Sequence, residues 1–161
     1  GRTTQSVTVI GIWDGEFHAF VAEDNINDFR DAISHYNMIV TFFGSGFDLP
    51  ILMKKYRSVI RDQLHLDLMH TARAIGVRGG LKKIEQMYGI TRPEGVIGLN
   101  GLDAVRLWRQ ARFGNKRALQ TLLDYNRADV ENLETIAQKM IAQLWQLTSH
   151  DVLPERAEAS L

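Results

Sequence analysis

Residues 6–13 (SVTVIGIW) alternate loosely between apolar and polar positions and are rich in Val and Ile, the pattern of a half-buried strand. Asp14-Gly15 follows and residues 17–21 resume the apolar pattern, so the spacing predicts a hairpin whose two turn positions both take φ > 0. Asn25 or Asn27 is placed to cap a helix running through Phe29, Ala32, Ile33 and Tyr36. The run MIVTFF at 38–43 predicts a short strand buried on both faces. Gly44-Ser45-Gly46 breaks that run. Asp48-Leu49-Pro50 then opens a helix, with Pro in the first turn where its missing N–H costs nothing.

A second short strand is predicted over 64–68, and helices over 69–75, 81–88, 101–113 and 116–147, punctuated by Gly76, Gly79-Gly80, Gly89 and Gly114. In the last of these helices Leu119, Leu122, Leu133, Met140 and Leu144 form a stripe predicted as core. Periodicity is lost from Thr148 onward, so residues 1–147 read as one domain and 148–161 as a polar, frayed tail. Strands come first, then mixed elements, then helices, which implies an α/β domain around a mixed sheet flanked by helices.

Composition narrows the classes. A chain of 161 residues, 45% hydrophobic, can bury about 70% of its unfolded surface in one core. The absence of cysteine excludes disulfide scaffolds, cysteine zinc sites and thiol catalysis. No apolar run approaches the ~18 residues a membrane span needs, so a cytoplasmic protein with no membrane partner is expected. The first residue is Gly1 rather than Met, and residue 1 is expected not to be the native start. Net charge is zero, yet nine basic residues stand against three acidic ones between Lys54 and Arg92. Such a basic middle suits either a phosphate-facing surface or solvated helix faces.

Two segments carry candidate chemistry. In TFFGSGFDLPIL (41–52) a strand ends, a glycine turn re-aims the chain, and Asp48 lands at a helix N-terminus. A carboxylate at the carboxyl end of a strand lies where open α/β sheets build their sites, and the helix dipole favours its ionised form. A plain helix cap is the alternative use of Asp48. Gly44-Ser45-Gly46 is not a dinucleotide fingerprint, because the third glycine would fall at Leu49. In LLDYNRADVENLETIA, Leu122, Tyr125, Asp129, Leu133 and Ile136 share one helix face, so Asp129 interrupts an apolar stripe with Tyr125 one turn earlier. A carboxylate placed there needs a metal or a cationic partner, and an ion pair with an arginine is the alternative to a metal. Asp67, in HLDLMH, reads as structural; His65 and His70 beside it do not share a helix face. Asp14 and Glu16 straddle the hairpin tip.

With these segments placed, the chain resembles the DEDD 3′-5′ exonucleases of the ribonuclease H-like superfamily, and within them the YprB-like branch related to the proofreading domain of family B DNA polymerases. The resemblance runs from about Val7 to Gln143. VTVIGIWDG looks like the second strand and its turn, FFGSGFDLPIL like the second exonuclease motif, and HLDLMHTAR like the strand and helix after it. GGLKKIEQMYGI and GLDAVRLWRQ look like the helical insert, and YNRADVENL like the third motif, with the Tyr-x-x-x-Asp spacing of the tyrosine subtype. The resemblance implies an α/β, ribonuclease H-like mixed sheet and two divalent ions, Mg²⁺ or Mn²⁺. Asp48 and Asp129 are implied as metal ligands, Tyr125 as the residue that positions or deprotonates the attacking water, and a single-stranded 3′ end of DNA or RNA as substrate.

Phe47, beside Asp48, is a candidate to stack on the terminal base, a contact worth about 1–3 kcal/mol, or to pack the helix. Ser45, Arg78, Lys82 and Lys83 are the remaining candidate substrate contacts, the three cations by holding phosphates. Two departures stand out. The family's first motif, an Asp-x-Glu pair on the opening strand, should lie just before GRTTQSVTVI, and nothing in the chain supplies it, so the domain is read as lacking the first strand. Phe43-Gly44 also stands where the family often has Asn-Gly. Truncation and degeneration both explain the missing motif. The alternatives to an enzyme are therefore a nucleic-acid-binding or a protein-interaction module on the same fold.

Overall fold

The computed structural model describes residues 7–57, 60 and 62–149. Strand β1 (Val9–Trp13) pairs antiparallel with β2 (Phe17–Val21), from Val9↔Val21 to the closing pair Trp13↔Phe17. The connecting loop therefore holds three residues, not the predicted two-residue turn, and only Gly15 in it has positive φ, at 107°. Asp14 ends the strand because its carboxylate accepts from the Glu16 N–H, the Tyr36 hydroxyl at 2.6 Å and the His18 ring at 3.0 Å. Neither Asn25 nor Asn27 caps the next helix, α1 (Phe29–Ser34), which starts after Asp28 with no side-chain cap. Asn25 instead seals the end of β2, accepting from the Val21 N–H at 2.7 Å and donating to the Ala19 carbonyl at 3.0 Å.

Strand β3 (Met38–Thr41) runs parallel to β4 (Leu64–Asp67), in register from Met38↔Leu64 to Thr41↔Asp67, with α2 (Asp48–Tyr56) as the crossover. The two strand pairs are separate two-stranded sheets, so the mixed sheet is split into halves. Among the described residues no strand lies along the outer edge of β1 or of β3. This corrects the reading of 38–43 as a strand buried on both faces. It ends two residues sooner, none of its residues is fully buried, and Met38 is 47% exposed.

Helices α3 (Leu68–Ala74), α4 (Leu81–Met87) and α5 (Gly101–Arg112) follow, with one turn of 3-10 helix at Glu94–Val96. Asn100 and Asp103 close a reciprocal capping box at the start of α5. Helix α6 (Lys116–Ser149) spans roughly 50 Å and packs along β1, α3, α4 and α5. Two cores result. Ile10, Phe20, Ile26, Phe29, Ile33 and Leu52 fill the hairpin side, and Leu68, Ala72, Ile84, Ile136, Ala137 and Met140 join α3, α4 and α6.

The predicted stripe on α6 leaves the core after Met140: Leu144 is exposed and Trp145 more so, because the elements that cover the helix end there. The helix itself continues through Ser149, two residues into the segment read as tail, and residues 150–161 lie outside the described ones. No described helix is long and apolar enough to cross a membrane.

Candidate active site

The loop between β3 and α2 is shaped before Asp48 is reached. Phe43 sits at φ 61°, in the left-handed region that bulky residues seldom occupy. The next residue must be glycine: a Cβ at Gly44 would lie 2.3 Å from the Thr41 hydroxyl oxygen and 2.6 Å from the Thr41 Cβ. Asp67, at the carboxyl end of β4, ties this loop down. Its carboxylate accepts from the backbone N–H groups of Phe43 (2.8 Å), Ser45 (3.0 Å) and Met69 (3.1 Å), and from the Ser45 hydroxyl. Burial opposes ionisation of Asp67 more than any single bond favours it. Together the bonds prevail and hold its carboxyl below the usual 3.8. The structural reading of Asp67 is the one observed: it caps α3 and fixes the loop that delivers Asp48.

Asp48 is the first residue of α2, accessible to solvent at the rim yet crowded enough by protein that its pKa rises. Desolvation is the main cause, and the negative charge of Asp129 is the next. The two carboxylates, 81 positions apart in sequence, therefore share one electrostatic neighbourhood. Tyr125 and Asp129 sit one turn apart on α6, both half-buried. Burial, reinforced by the Asp129 charge, pushes the Tyr125 phenol up to about 12.

Asp129 also has the arginine partner that was its alternative. Arg92, from the segment after α4, donates to Asp129 Oδ1 at 2.6 Å. The same guanidinium clamps Glu85 of α4 through two bonds, at 2.8 and 2.7 Å, and Asn132 of α6 donates to Glu85 at 2.9 Å. The side chains of Arg92 and Glu85 are 7% and 3% exposed, whereas Asp129 keeps 28%. Burial raises the Asp129 pKa, and Arg92 opposes that rise both by charge and by hydrogen bond.

The other candidates divide. The Lys82 ammonium lies 5.1 Å above the Tyr125 ring centre, and its charge also lowers the Asp129 pKa, so Lys82 joins the site. Phe47 stands 49% exposed beside Asp48. Ser45 directs its hydroxyl to Asp67 and meets the His70 ring at 3.2 Å. Arg78 and Lys83 lie on the surface around the turn that starts α4. His65 is bonded to Thr41 at 2.8 Å. Among the described residues no three His, Asp or Glu side chains form a ready-made metal site.

Sequence reasoning missed Glu85, Arg92 and Asn132. A signal existed for two of them. Glu85 lies four residues after Leu81 and three before Tyr88, on the apolar face of α4. Asn132 lies three residues after Asp129, on the face that meets it. Nothing local distinguished Arg92 from the other cations of the basic middle.

No curated protein and no solved structure gives a significant match to the chain. A family model described as the RNase H superfamily matches residues 2–141. The mixed α/β architecture, with two strand pairs among the described residues, agrees with an RNase H-like fold. The chain belongs to the RNase H superfamily.

Proposed function

We propose that the protein is a divalent-metal-dependent 3′-5′ exonuclease of the DEDD tyrosine subtype, on the YprB-like side of that family, acting in the cytoplasm on single-stranded DNA or RNA. The observation that carries this reading is the placing of Tyr125 and Asp129 one turn apart on α6, in the electrostatic reach of Asp48 at the start of α2. Two desolvated carboxylates, one of which raises the other's pKa, are donors that a hard cation relieves. Mg²⁺ commonly takes only one or two protein carboxylates and leaves its other positions to water and phosphate. Asp48 and Asp129 are the oxygen donors for one such ion; a second would need a further carboxylate, which the described residues do not gather.

A bound Mg²⁺ or Mn²⁺ would supply water of lowered pKa and would neutralise charge building on the phosphodiester. The protein's own part lies in positioning. In the metal-free protein burial and the Asp129 charge push the Tyr125 phenol up to about 12, so at neutral pH it is protonated and can orient water by donating a hydrogen bond. Lys82 places a cation beside that phenol for a phosphate. Arg78 and Lys83 extend the basic surface, and Phe47 and Ser45 flank Asp48 as contacts for the terminal nucleotide.

Degradation of strands labelled at either end, in Mg²⁺ or Mn²⁺, tests the reading. Loss should proceed from the 3′ end, stop in Asp129→Asn and slow by roughly 10²-fold in Tyr125→Phe. Undiminished activity in Asp129→Asn would overturn the assignment. A second reading, a binding or interaction module on the same fold, is favoured by one observation: Asp129 is already paired with Arg92. Salt-dependent binding of a labelled single strand without degradation decides for a nucleic-acid-binding module. No binding to any nucleic acid decides for a protein-interaction module.

A further inference from the structure

Arg92 is a buried cation that the proposed chemistry does not use. Two carboxylates, Glu85 and Asp129, share its single charge, so the trio carries one net negative charge before Asp48 is counted. The sharing is unequal. Glu85 takes two hydrogen bonds and Asp129 one, and Asn132 braces Glu85 from α6. The third guanidinium nitrogen, Nη1, is buried and finds no partner among the described residues, so the group is held by the Glu85 clamp rather than saturated by its surroundings. Asp129 meanwhile remains the most open of the three side chains.

We propose that Arg92 is a resident counter-cation that competes with a divalent metal for Asp129, and that Glu85 limits this competition by drawing the guanidinium away. The inference rests on the reading of Asp129 as a cation ligand and adds to it a positioning pair that sets how tightly the cation is held. The pair keeps the metal-free site stable, because Asp129 is never left without a partner. It also works against any cation that arrives, since a fixed positive charge stands within hydrogen-bond distance of the ligand. Glu85 and Arg92 oppose one another in this respect, and that sets them apart from residues that merely support the fold.

Mn²⁺ binding, read from the spin-resonance signal of the free ion without nucleic acid, separates the possibilities. In Glu85→Gln the Arg92 charge falls wholly on Asp129, and Mn²⁺ affinity should drop by about tenfold. In the double variant Glu85→Gln/Arg92→Met no buried charge is orphaned at position 85, and affinity should rise above wild type by a similar factor. Opposite shifts support the proposal. Equal losses in both would show a purely structural role and overturn it while leaving the metal site standing. Absence of binding in every variant would instead remove the metal reading, and this inference with it. Thermal unfolding of each variant checks folding. Should the double variant fail to fold, Glu85→Gln decides alone, and unchanged affinity there overturns the proposal.

Discussion

Asp67 holds Ser45 twice, through the backbone N–H at 3.0 Å and through the hydroxyl, so the carboxyl end of one strand fixes the loop leaving its neighbour. Asp48 lies three residues beyond that anchor. Removing the Asp67 carboxylate in Asp67→Ala strips a helix cap and three further loop bonds, and should cost about 3 kcal/mol in urea unfolding. Asp67→Asn keeps an acceptor and a capping residue and should cost less. A loss in the alanine variant no larger than an ordinary surface change would show that the loop is held by other means.

The carboxylates make stability depend on pH in two opposed directions. Asp67 is held below 3.8, so its contribution is present above 3.8 and is lost as pH falls through its lowered value. Asp48 and Asp129 are raised by burial, so in the metal-free protein their ionised forms cost stability at neutral pH, and this cost is relieved as pH falls through their raised values. Urea unfolding across pH should therefore show a rise under mild acid before the acid loss. Asp48→Asn should flatten the rise, and Asp67→Asn the later fall. A curve that falls steadily from neutral pH in every variant would contradict both signs.

Arg92→Ala leaves Glu85 buried with no cation and Asp129 without its partner. Breaking a buried pair from one side costs about 3–5 kcal/mol, and at this chain length the thermal midpoint should fall by roughly 10 °C. Glu85→Gln/Arg92→Met, which removes both charges, should recover much of that loss. If the double variant is no better than Arg92→Ala, the uncompensated charge at Glu85 is not the cause.

Gly44→Ala tests the loop by sterics alone. The added Cβ meets Thr41 at its hydroxyl and at its own Cβ, which sits on the backbone of β3 and cannot swing aside. A loss of about 1–3 kcal/mol is expected. Gly15→Ala has open space around the new Cβ, and only its φ of 107° opposes it. A Gly44→Ala protein as stable as wild type would mean that the loop between β3 and α2 can shift.

Local pattern was enough to locate every α-helix and strand described, though not the 3-10 turn at Glu94–Val96, because apolar period, turn glycines and Pro50 act over a few residues. The course of α6 from Lys116 to about Leu147, the start of α2 at Asp48 and the i, i+4 placing of Tyr125 and Asp129 followed from spacing alone. Partnership did not. Asn25 reads as a helix cap by type, yet it bonds β2, since a strand end left open nearby competed for it. Residues 38–43 are apolar enough to be buried on both faces, but burial depends on what lies alongside, and the sheet halves are not joined. Tertiary packing alone decided that Asp129 would meet Arg92, 37 positions earlier, and share its guanidinium with Glu85. A buried charge must find an opposite one, and which of many arginines answers is settled by where the helices pack, not by any rule of spacing.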